Sequence, residues 1–345
     1  MKFEPALNKP ALMETIQQVY GYPFSSLLFL PEGMVGWHYL ADCANGKRAF
    51  VTLLPDTHMA RLQIQRLDFT LALTTRLYES DLFTAQPAVY RTRVGKLKAN
   101  FQGRPLILYE YIAGKNLAGV QPYPIEILRS LGRLTAQLHR ATSTVGMEVP
   151  YFEQFHLPFE EPLLTCLSEL EQVPDDARPG LVELRDVILP RRETLLDLLS
   201  RLHKLGETCR LLNPPMVLVH TDMTPHNILN TSQSELFIVD WEGIMLAPAE
   251  HDLFIFAGEG FSTLLSAYCQ EAREPSLHPE LFAYYFHRRN LEDIAEFIIS
   301  ILHENTTAEE DRFELDLLYS DSLQGWPFLE TSLEWAADHI LLSTG

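Results

Sequence analysis

The sequence predicts an α+β protein of two lobes, a small N-terminal lobe with an antiparallel sheet and a larger, mainly helical C-terminal lobe. The chain has 345 residues, which exceeds the usual size for a single hydrophobic core. Short runs rich in β-branched and aliphatic residues occupy its first third, and apolar residues recur at helical spacing in the rest. Hydrophobic residues make up 46% of the chain, enough for a packed interior.

The N-terminal lobe is predicted from alternating strand and turn signals. The Asn45-Gly46 pair favours a tight hairpin, and Gln102-Gly103 favours a second one. The segment Pro31 to Gly36 has two glycines in six residues, a poor glycine-rich motif, and is interpreted as a strand connection. The expected elements are a helix over residues 11–20, strands over 27–30, 35–41 and 48–54, a helix over about 59–78, and strands over 91–97 and 105–111.

The C-terminal lobe is predicted from helical periodicity. Leu128, Leu131 and Leu138 mark one face of a helix over residues 125–141. A stripe of Leu291, Ile294, Ile298 and Ile301 marks another over residues 278–304. Further helices are expected over about 160–171, 180–205 and 328–342, with a turn into a helix within 248–256.

Charge and cysteine content restrict the partners. The 46 acidic residues outnumber the 27 basic ones and give a formal net charge of -19. This field is expected to repel nucleic acid and anionic membranes and to favour a cationic substrate. The four cysteines show no metal or redox spacing and indicate reduced thiols. No signal peptide and no apolar run of roughly 20 residues is found, so we expect a cytoplasmic protein.

The stretch from Val217 to Asp240 contains the strongest chemical signal. Two short aliphatic runs each end in an aspartate, Asp222 or Asp240, and the polar turn between them suggests that the runs pair as a hairpin. Asp222 could accept the proton of an attacking hydroxyl. Asn227 and Asp240 could hold Mg²⁺ on a nucleoside triphosphate, because Mg²⁺ prefers oxygen ligands and phosphate.

At these residues the sequence resembles the aminoglycoside phosphotransferase and choline kinase family, a branch of the protein-kinase-like fold. The pattern His-x-Asp-x-x-x-x-Asn is met by His220, Asp222 and Asn227. Residues 238–241 read Ile-Val-Asp-Trp, where protein kinases carry Asp-Phe-Gly. Further segments within 245–297 look most like the spectinomycin kinase branch.

The resemblance implies a bilobal, protein-kinase-like fold and the following site. Residues 1–110 would form a nucleotide-binding lobe, with a hinge near 109–114, and residues 115–345 a helical lobe with the catalytic loop and acceptor pocket. Backbone groups near Glu110 and Ile112 would bind the purine of ATP or GTP. His220 and Asp252 would give structural support.

One position departs from the family. By register, Thr52 stands where a lysine that binds nucleotide phosphates is expected, and the following helix offers Asp68 instead of a glutamate. The bases considered as substitutes are Lys47, Arg48, Arg61, Lys96 and Lys98, although each is more simply interpreted as solvated surface charge. The alternative to a kinase is therefore a pseudokinase or ligand-binding module with weakened nucleotide binding.

The acceptor is left open by the sequence. Glu292, Asp293 and Glu296 lie opposite the apolar stripe of their helix, and pattern alone favours a solvated acidic face. The resemblance instead implies contact with a cationic acceptor such as an aminocyclitol or aminoglycoside antibiotic, with choline-like and sugar acceptors as alternatives. Protein kinase activity is the least favoured, because no Ala-Pro-Glu segment or activation loop is found between Gly243 and Asp252. The oligomeric state is not predicted.

Overall fold

The computed structural model of the chain describes residues 4–31, 33, 35–43, 46–273 and 275–344. By their contacts, the residues divide into two compact units. The first unit comprises Met1–Pro150 with His220–Met245, and the second comprises Tyr151–Val219 with Leu246–Gly345. The predicted division into residues 1–110 and 115–345, with a hinge near 109–114, stays a prediction.

The first unit combines an antiparallel sheet with three long helices. In the described residues, strands β1 to β5 form a five-stranded sheet in the order β1-β2-β3-β5-β4, and β6, β8 and β9 form a smaller sheet. The helices are α1 (Lys9–Tyr20), α2 (His58–Glu79) and α3 (Ile125–Ala141), and the strands are β1 (Phe24–Leu30), β2 (Trp37–Cys43), β3 (Arg48–Leu53), β4 (Ala99–Phe101), β5 (Arg104–Glu110), β6 (Gly114–Asn116), β8 (Ile228–Thr231) and β9 (Leu236–Ile238).

The two faces of the large sheet have different neighbours because successive side chains of a strand point to opposite faces. Tyr39, Val51 and Leu108 belong to one face and pack with α1 in a buried apolar cluster. On the other face, Ile107 packs against Leu67 and Leu71 of α2. Register pairs His38 with Thr52 and Thr52 with Ile107, so His38 and Thr52 project on the α2 side.

Most predicted elements of this unit are confirmed, but the strand expected over residues 91–97 is wrong. These residues form an irregular segment with a turn at Gly95, whose φ is +83°. The turn is closed by hydrogen bonds from Thr92 N to Lys96 O (2.8 Å) and from Gly95 N to Thr92 O (2.9 Å). The strand that pairs across Gln102-Gly103 is β4 instead.

Two predicted turns fall partly outside the described residues. In the hairpin between β2 and β3, Ala44 and Asn45 lie outside them, and Gly46 has a φ of +80°. In the connection from Pro31 to Gly36, Glu32 and Met34 lie outside them. The strands on either side of the Asn45-Gly46 turn do pair antiparallel, as predicted.

The hairpin predicted between the two aspartate-ending runs is also wrong in its pairing. The first run forms β7 (Val217–Val219), which pairs with β10 (Met245–Ala247). The second run forms β9, and its antiparallel partner is β8, which follows Asn227. The polar turn was correctly located, but the strand before it is Ile228–Thr231 rather than the run before Asp222.

The second unit is mainly helical. The helix predicted over 180–205 is two helices, α5 (Pro179–Ile188) and α6 (Arg192–Leu212), separated by a 3-10 turn that contains Pro190, because proline interrupts helical hydrogen bonding. The predicted apolar stripe is confirmed, since its four residues are fully buried, three of them on the helix Pro279–Ile299 and Ile301 in the π-helical turn that follows. The other helices are α4 (Glu160–Leu170), α7 (Glu250–Leu253), α8 (Phe261–Ala272), α9 (Pro279–Ile299), α10 (Ala308–Leu317) and α11 (Trp326–Thr344).

Two further sequence expectations can be compared with the structure. All four cysteines are free thiols, and Cys43, Cys166 and Cys209 are buried. Among the helices of the described residues, none has the length and apolarity needed to cross a membrane.

Candidate active site

The loop after β7 is held by a buried histidine. The His220 side chain is fully buried, and its Nε2 lies 3.0 Å from the carbonyl oxygen of Val239. A carbonyl only accepts, so Nε2 donates, and Nδ1 accepts from the backbone N–H of Asp222 at 3.3 Å. The ring also meets Trp241 edge-on, with centroids 4.7 Å apart. This geometry supports the predicted bracing role of His220.

Asp222 and Asn227 are in direct contact within this loop. Asn227 Nδ2 donates to Asp222 Oδ2 at 2.7 Å and to the Asp222 backbone oxygen at 3.0 Å. Asn227 precedes β8 and Asp222 follows β7, so the short 3-10 turn between them brings the two side chains together. Because both amide contacts go to Asp222, the Oδ1 atom of Asn227 is the atom suited to bind a cation.

Asp240 is positioned by the end of the β8–β9 pair. The Val239 N–H donates to the Asn227 carbonyl oxygen at 2.9 Å, which places Asp240 one residue beyond this contact. Asp240 has a φ of +68° and Thr221 a φ of +78°. Such left-handed conformations cost energy in residues other than glycine and concentrate at functional sites.

Glu242 adds a third carboxyl group to this cluster. Its carboxyl group is in hydrogen-bond contact with Asp240, and its pKa is raised well above the usual value by burial and then by the charge of Asp240, with Asp222 adding to the effect. Among the described residues, its buried Oε2 atom has no hydrogen-bond partner. The Glu242 carboxyl group therefore keeps its proton above the pH at which a glutamic acid normally loses it.

Close backbone packing fixes the segment after Asp240. A Cβ atom on Gly243 would lie 1.9 Å from Thr221 Oγ1 and 3.2 Å from the His220 carbonyl oxygen, so only glycine fits. The Gly243 and Ile244 carbonyl oxygens accept hydrogen bonds from Arg66 of α2 at 3.1 and 2.8 Å. Helix α2 therefore holds the end of the acidic segment.

The donor set fits a magnesium ion. The amide oxygen of Asn227 and the carboxylate of Asp240 are the oxygen ligands that Mg²⁺ takes alongside phosphate. The buried Oε2 atom of Glu242, which has no partner among the described residues, and the carboxylate of Asp240 leave an excess of acceptor oxygens at this end of β9. A bound cation would relieve this excess.

The structure pairs Thr52 with a residue that the sequence interpretation passed over. Thr52 is 6% exposed, and His38 Nδ1 lies 3.2 Å from its Oγ1 atom. Four of the proposed substitute bases contact other groups. Lys47 lies over the Tyr22 and Tyr90 rings. Arg48 forms an ion pair with Asp42, Arg61 forms one with Asp56, and Lys98 forms one with Asp68. The fifth base, Lys96, is exposed.

The other residues predicted to contact the nucleotide have the following surroundings in the structure. Asp68 is 83% exposed in its side chain and lies 2.7 Å from Lys98 Nζ. Glu110 ends β5, and its N–H donates to the Ala88 carbonyl oxygen at 2.8 Å. The Ile112 carbonyl oxygen accepts from Gly114 N at 3.0 Å. The nucleotide-binding roles of Asp68, Glu110 and Ile112 stay predictions.

The predicted acceptor residues lie on α9 in the second unit. Glu292 and Asp293 each have an arginine one turn earlier, at 4.0 Å from Arg288 and 2.8 Å from Arg289. Burial raises the pKa of Asp293 to about 6, and Arg289 opposes the shift. Glu296 is exposed. Their contact with an acceptor stays a prediction.

Two other polar features lie in the second unit. Asp252 is fully buried in α7, and its support of the catalytic loop stays a prediction. Cys166, Glu169 and His303 bring one ligand atom each within 4.8 Å of one another. Two of these three side chains are about half exposed and form an ion pair at 2.9 Å. The cluster is accounted for as a surface ion pair beside a buried thiol.

Sequence reasoning underestimated three residues of the first unit. Glu242 was given no role from the sequence, although its position two residues after Asp240 was a usable signal. His38 becomes visible only when β2 and β3 are aligned in register. Arg66 contacts backbone atoms 177 and 178 residues away, and no local pattern predicts such a contact.

Comparisons with known proteins agree with this geometry. The sequence model of the phosphotransferase enzyme family matches residues 43–297, whereas no curated protein matches the chain in a sequence search. The structure is similar to spectinomycin phosphotransferase in complex with ADP and spectinomycin, at 19% identity, a TM-score of 0.75, and coverage of 98% of this chain and 99% of that chain.

Other solved structures share the fold at lower similarity. Amicoumacin kinase, in complex with AMP-PNP and Ca²⁺, has 15% identity and a TM-score of 0.56, covering 95% of this chain and 94% of that one. Choline kinase from Cryptosporidium parvum Iowa II has 12% identity and a TM-score of 0.59, covering 96% and 100%. Identities this low show the fold alone.

These findings confirm the predicted family, the α+β protein-kinase-like fold with its N-terminal antiparallel sheet, and the enzyme class, a phosphotransferase with an alcohol group as acceptor. The family match spans well over half of the chain and includes β3, the catalytic loop and most of α9. The chain therefore belongs to the phosphotransferase enzyme family.

Proposed function

We propose that this phosphotransferase is a small-molecule kinase that moves the γ-phosphate of ATP or GTP to a hydroxyl of a cationic acceptor. The observation that carries the proposal is the 2.7 Å contact between Asn227 and Asp222, beside Asp240, in a chain of this family. A base, a metal-binding amide and a metal-binding carboxylate are the parts that phosphoryl transfer requires.

Asp222 is the general base of the proposed reaction. It accepts the proton of the acceptor hydroxyl as that oxygen attacks the γ-phosphate. Asn227 donates to Asp222 Oδ2, and His220 accepts from its backbone N–H, so the carboxylate is oriented before the acceptor binds. Such pre-orientation matters because phosphoryl transfer depends mostly on positioning and charge stabilisation.

Asn227 Oδ1 and Asp240 would hold Mg²⁺. An ion held there would supply positive charge to offset the negative charge that develops on the phosphates during transfer. Glu242 lies behind Asp240, and the proximity of the two carboxyl groups favours the binding of a cation at this end of β9. The left-handed backbone of Asp240 is held by the Val239–Asn227 hydrogen bond and by the close packing of Gly243 against Thr221.

The acceptor we propose is an aminocyclitol or aminoglycoside. The net charge of -19 favours a cationic compound, and the acids of α9 could contact its ammonium groups. One solved structure of the same fold holds ADP and spectinomycin, and another holds AMP-PNP and amicoumacin. Choline and ethanolamine kinases also share the fold, so smaller cationic alcohols belong in the test.

The test is the release of nucleoside diphosphate in the presence of a panel of hydroxylated amines, with Mg²⁺ and either ATP or GTP. The wild-type chain is expected to turn over at least one cationic acceptor. Asp222→Ala should reduce kcat by roughly 10²- to 10⁴-fold, whereas the control Asp197→Ala, an exposed position on α6, should leave kcat unchanged. Turnover that survives Asp222→Ala would remove Asp222 from the role of base.

A second candidate is a pseudokinase or ligand-binding module, which the uncharged Thr52 favours. It predicts that Mg²⁺ and nucleotide together leave the melting temperature of the chain unchanged. A Mg²⁺-dependent rise in melting temperature with ATP or GTP would contradict this candidate, because a ligand that binds the folded state stabilises it.

A further inference from the structure

We propose that His38 takes over the phosphate contact that Thr52 cannot make, so that nucleotide is bound by a neutral imidazole from β2 instead of a lysine from β3. This inference rests on the proposed function. It identifies the side chain of the large sheet that would contact the triphosphate.

Strand register places His38 where such a group is needed. His38 and Thr52 are direct partners on antiparallel neighbouring strands. The Cβ atoms of such partners lie about 4.5–5.5 Å apart on the same face. A side chain at position 38 therefore projects beside the one at position 52, on the face of the sheet opposite the α1 cluster.

The His38 ring is fixed in this position by two contacts. It stacks on Phe50 with centroids 5.0 Å apart and planes 23° apart. Its Nδ1 atom lies 3.2 Å from Thr52 Oγ1. A threonine hydroxyl can donate to Nδ1, and the tautomer that accepts this bond carries its proton on Nε2.

The Nε2 atom faces the glycines of the β1–β2 connection. A Cβ atom on Gly33 would lie 2.8 Å from Nε2, and one on Gly36 would lie 2.9 Å from Cε1 and 3.2 Å from Nε2. Backbone without side chains can approach a phosphate closely, which is why glycines recur in phosphate-binding loops. The Nε2 atom of His38 thus lies beside two positions, Gly33 and Gly36, at which the backbone carries no side chain.

Electrostatics place the same ring near the metal-binding end of the site. The charge of Asp240 raises the pKa of His38, although burial has the larger effect and lowers the pKa to about 4. The imidazole is therefore neutral near pH 7 and acts as a hydrogen-bond donor, not as a cation. The pKa of Tyr109 on β5 is raised mainly by burial, and the charges of Glu242 and Asp240 raise it further. His38 and Tyr109, which project from the same face of the sheet, are thus both affected by the charge of Asp240.

Histidine could alternatively act only as a packing residue that holds the glycine segment against β3. The two roles differ in their effect on triphosphate binding. A packing role would be kept by His38→Phe, which preserves the stack on Phe50 and approximately the ring volume. A phosphate contact would be lost, because phenylalanine has no N–H donor.

The experiment is calorimetric titration of the full chain with a non-hydrolysable ATP analogue and with adenosine, both in the presence of Mg²⁺. His38→Phe should weaken analogue binding by about 10- to 100-fold, the range for a hydrogen bond to a charged group, and leave adenosine binding unchanged. His38→Gln, which keeps an N–H donor, should lose less affinity for the analogue than His38→Phe. In His38→Ala, adding Thr52→Lys should restore analogue affinity. The exposed His203→Phe is the matched control.

The outcomes separate the inference from the proposed function. If the wild type binds no analogue, the kinase proposal fails and the role of His38 fails with it. If the wild type binds the analogue and His38→Phe binds it equally well, the kinase proposal stands and His38 is a packing residue. Should His38→Phe not fold, the comparison of His38→Ala with and without Thr52→Lys decides, and absence of rescue overturns the inference.

Discussion

Several carboxyl groups have different kinds of partner in the two units of the chain. In the second unit, the buried Glu153 lies 2.6 Å from Arg288, and the buried Asp311 accepts from Arg178 at 3.0 Å. In the first unit, Asp222 contacts the amide of Asn227, and Asp240 contacts the carboxyl group of Glu242. Acids paired with arginine stabilise a fold, whereas acids gathered beside one another raise its energy until a cation binds.

The comparison separates acids that stabilise the fold from acids that are arranged to bind a ligand. Removing a structural acid or its partner should lower stability, with activity changing only through unfolding. Removing an acid of the first-unit cluster should abolish activity at little cost in stability. The following predictions test this separation.

The largest effect is expected for Asp240→Asn, which removes a charge but keeps the shape and tolerates the left-handed backbone. We expect kcat to fall by roughly 10²- to 10⁴-fold or more, because charge stabilisation dominates phosphoryl transfer. The melting temperature should change little, because Asp240 is exposed and asparagine has nearly the same shape. Nucleotide turnover and thermal unfolding measured on one preparation provide the test. A large loss of stability would contradict this prediction, because it would mean that Asp240 stabilises the fold as the arginine-paired acids do.

The next effect is expected for Arg288→Met in the second unit. Glu153 is 3% exposed in its side chain, so this change leaves a buried carboxylate without its ion-pair partner. The free energy of unfolding should fall by about 3–5 kcal/mol, which denaturant unfolding would measure. The control Arg312→Met breaks exposed pairs with Asp316 and Glu183 and should cost far less stability, because solvent screens these charges. Equal losses in the two variants would refute the comparison.

A smaller effect is expected from removal of the divalent cation. With Mg²⁺ and a non-hydrolysable ATP analogue at 100 times its Kd, the folded chain should gain about 2.7 kcal/mol of stability. Chelation of Mg²⁺ should remove most of this gain, because the acids of the first unit then repel the triphosphate. Thermal unfolding with and without chelator measures it. A gain that persists in chelator would mean that the cluster does not bind through a cation.

The last effect depends on pH and concerns Glu250, a buried acid of the second unit whose Oε1 accepts the His278 N–H at 2.7 Å. Burial raises its pKa from 4.5 to about 8. The folded state therefore keeps a proton that the unfolded state releases, and stability should fall as pH rises from about 4.5 to 8. The slope from this group is at most about 1.4 kcal/mol per pH unit.

The matching variant is Glu250→Gln, which cannot ionise. Its unfolding free energy should decline less than that of the wild type between pH 5 and pH 8. Parallel denaturation curves at the two pH values would reveal the difference. An unchanged slope would show that Glu250 ionises normally in the folded chain.

The sequence predicted the contiguous parts of the site and missed the parts assembled from distant strands. The spacing of His220, Asp222 and Asn227 lies within one loop, so the pattern was sufficient to predict that these residues meet. Pairing of β7 with β10 depends on residues more than twenty positions apart, and the nearer hairpin was chosen wrongly. Local propensity cannot rank such alternatives, because packing of the whole sheet decides between them.

The same limit explains the error over residues 91–97 and the oversight of His38. Alternation suggested a strand at 91–97, but the Gly95 turn and the hydrogen bonds of Thr92 leave β4 and β5 to form the pair. The departure from the family at Thr52 stays a prediction. The candidate that faces it, His38, is fourteen residues earlier and becomes its neighbour only through strand register.

The most direct test of the central claim is a titration of Mn²⁺ with the full chain and a non-hydrolysable ATP analogue, followed by electron paramagnetic resonance. If the first-unit acids are gathered to hold a nucleotide-bound cation, the wild type and the exposed control Asp197→Asn should show a protein-bound Mn²⁺ signal. Asp240→Asn should weaken or lose it. A signal of equal intensity and affinity in Asp240→Asn would contradict the account.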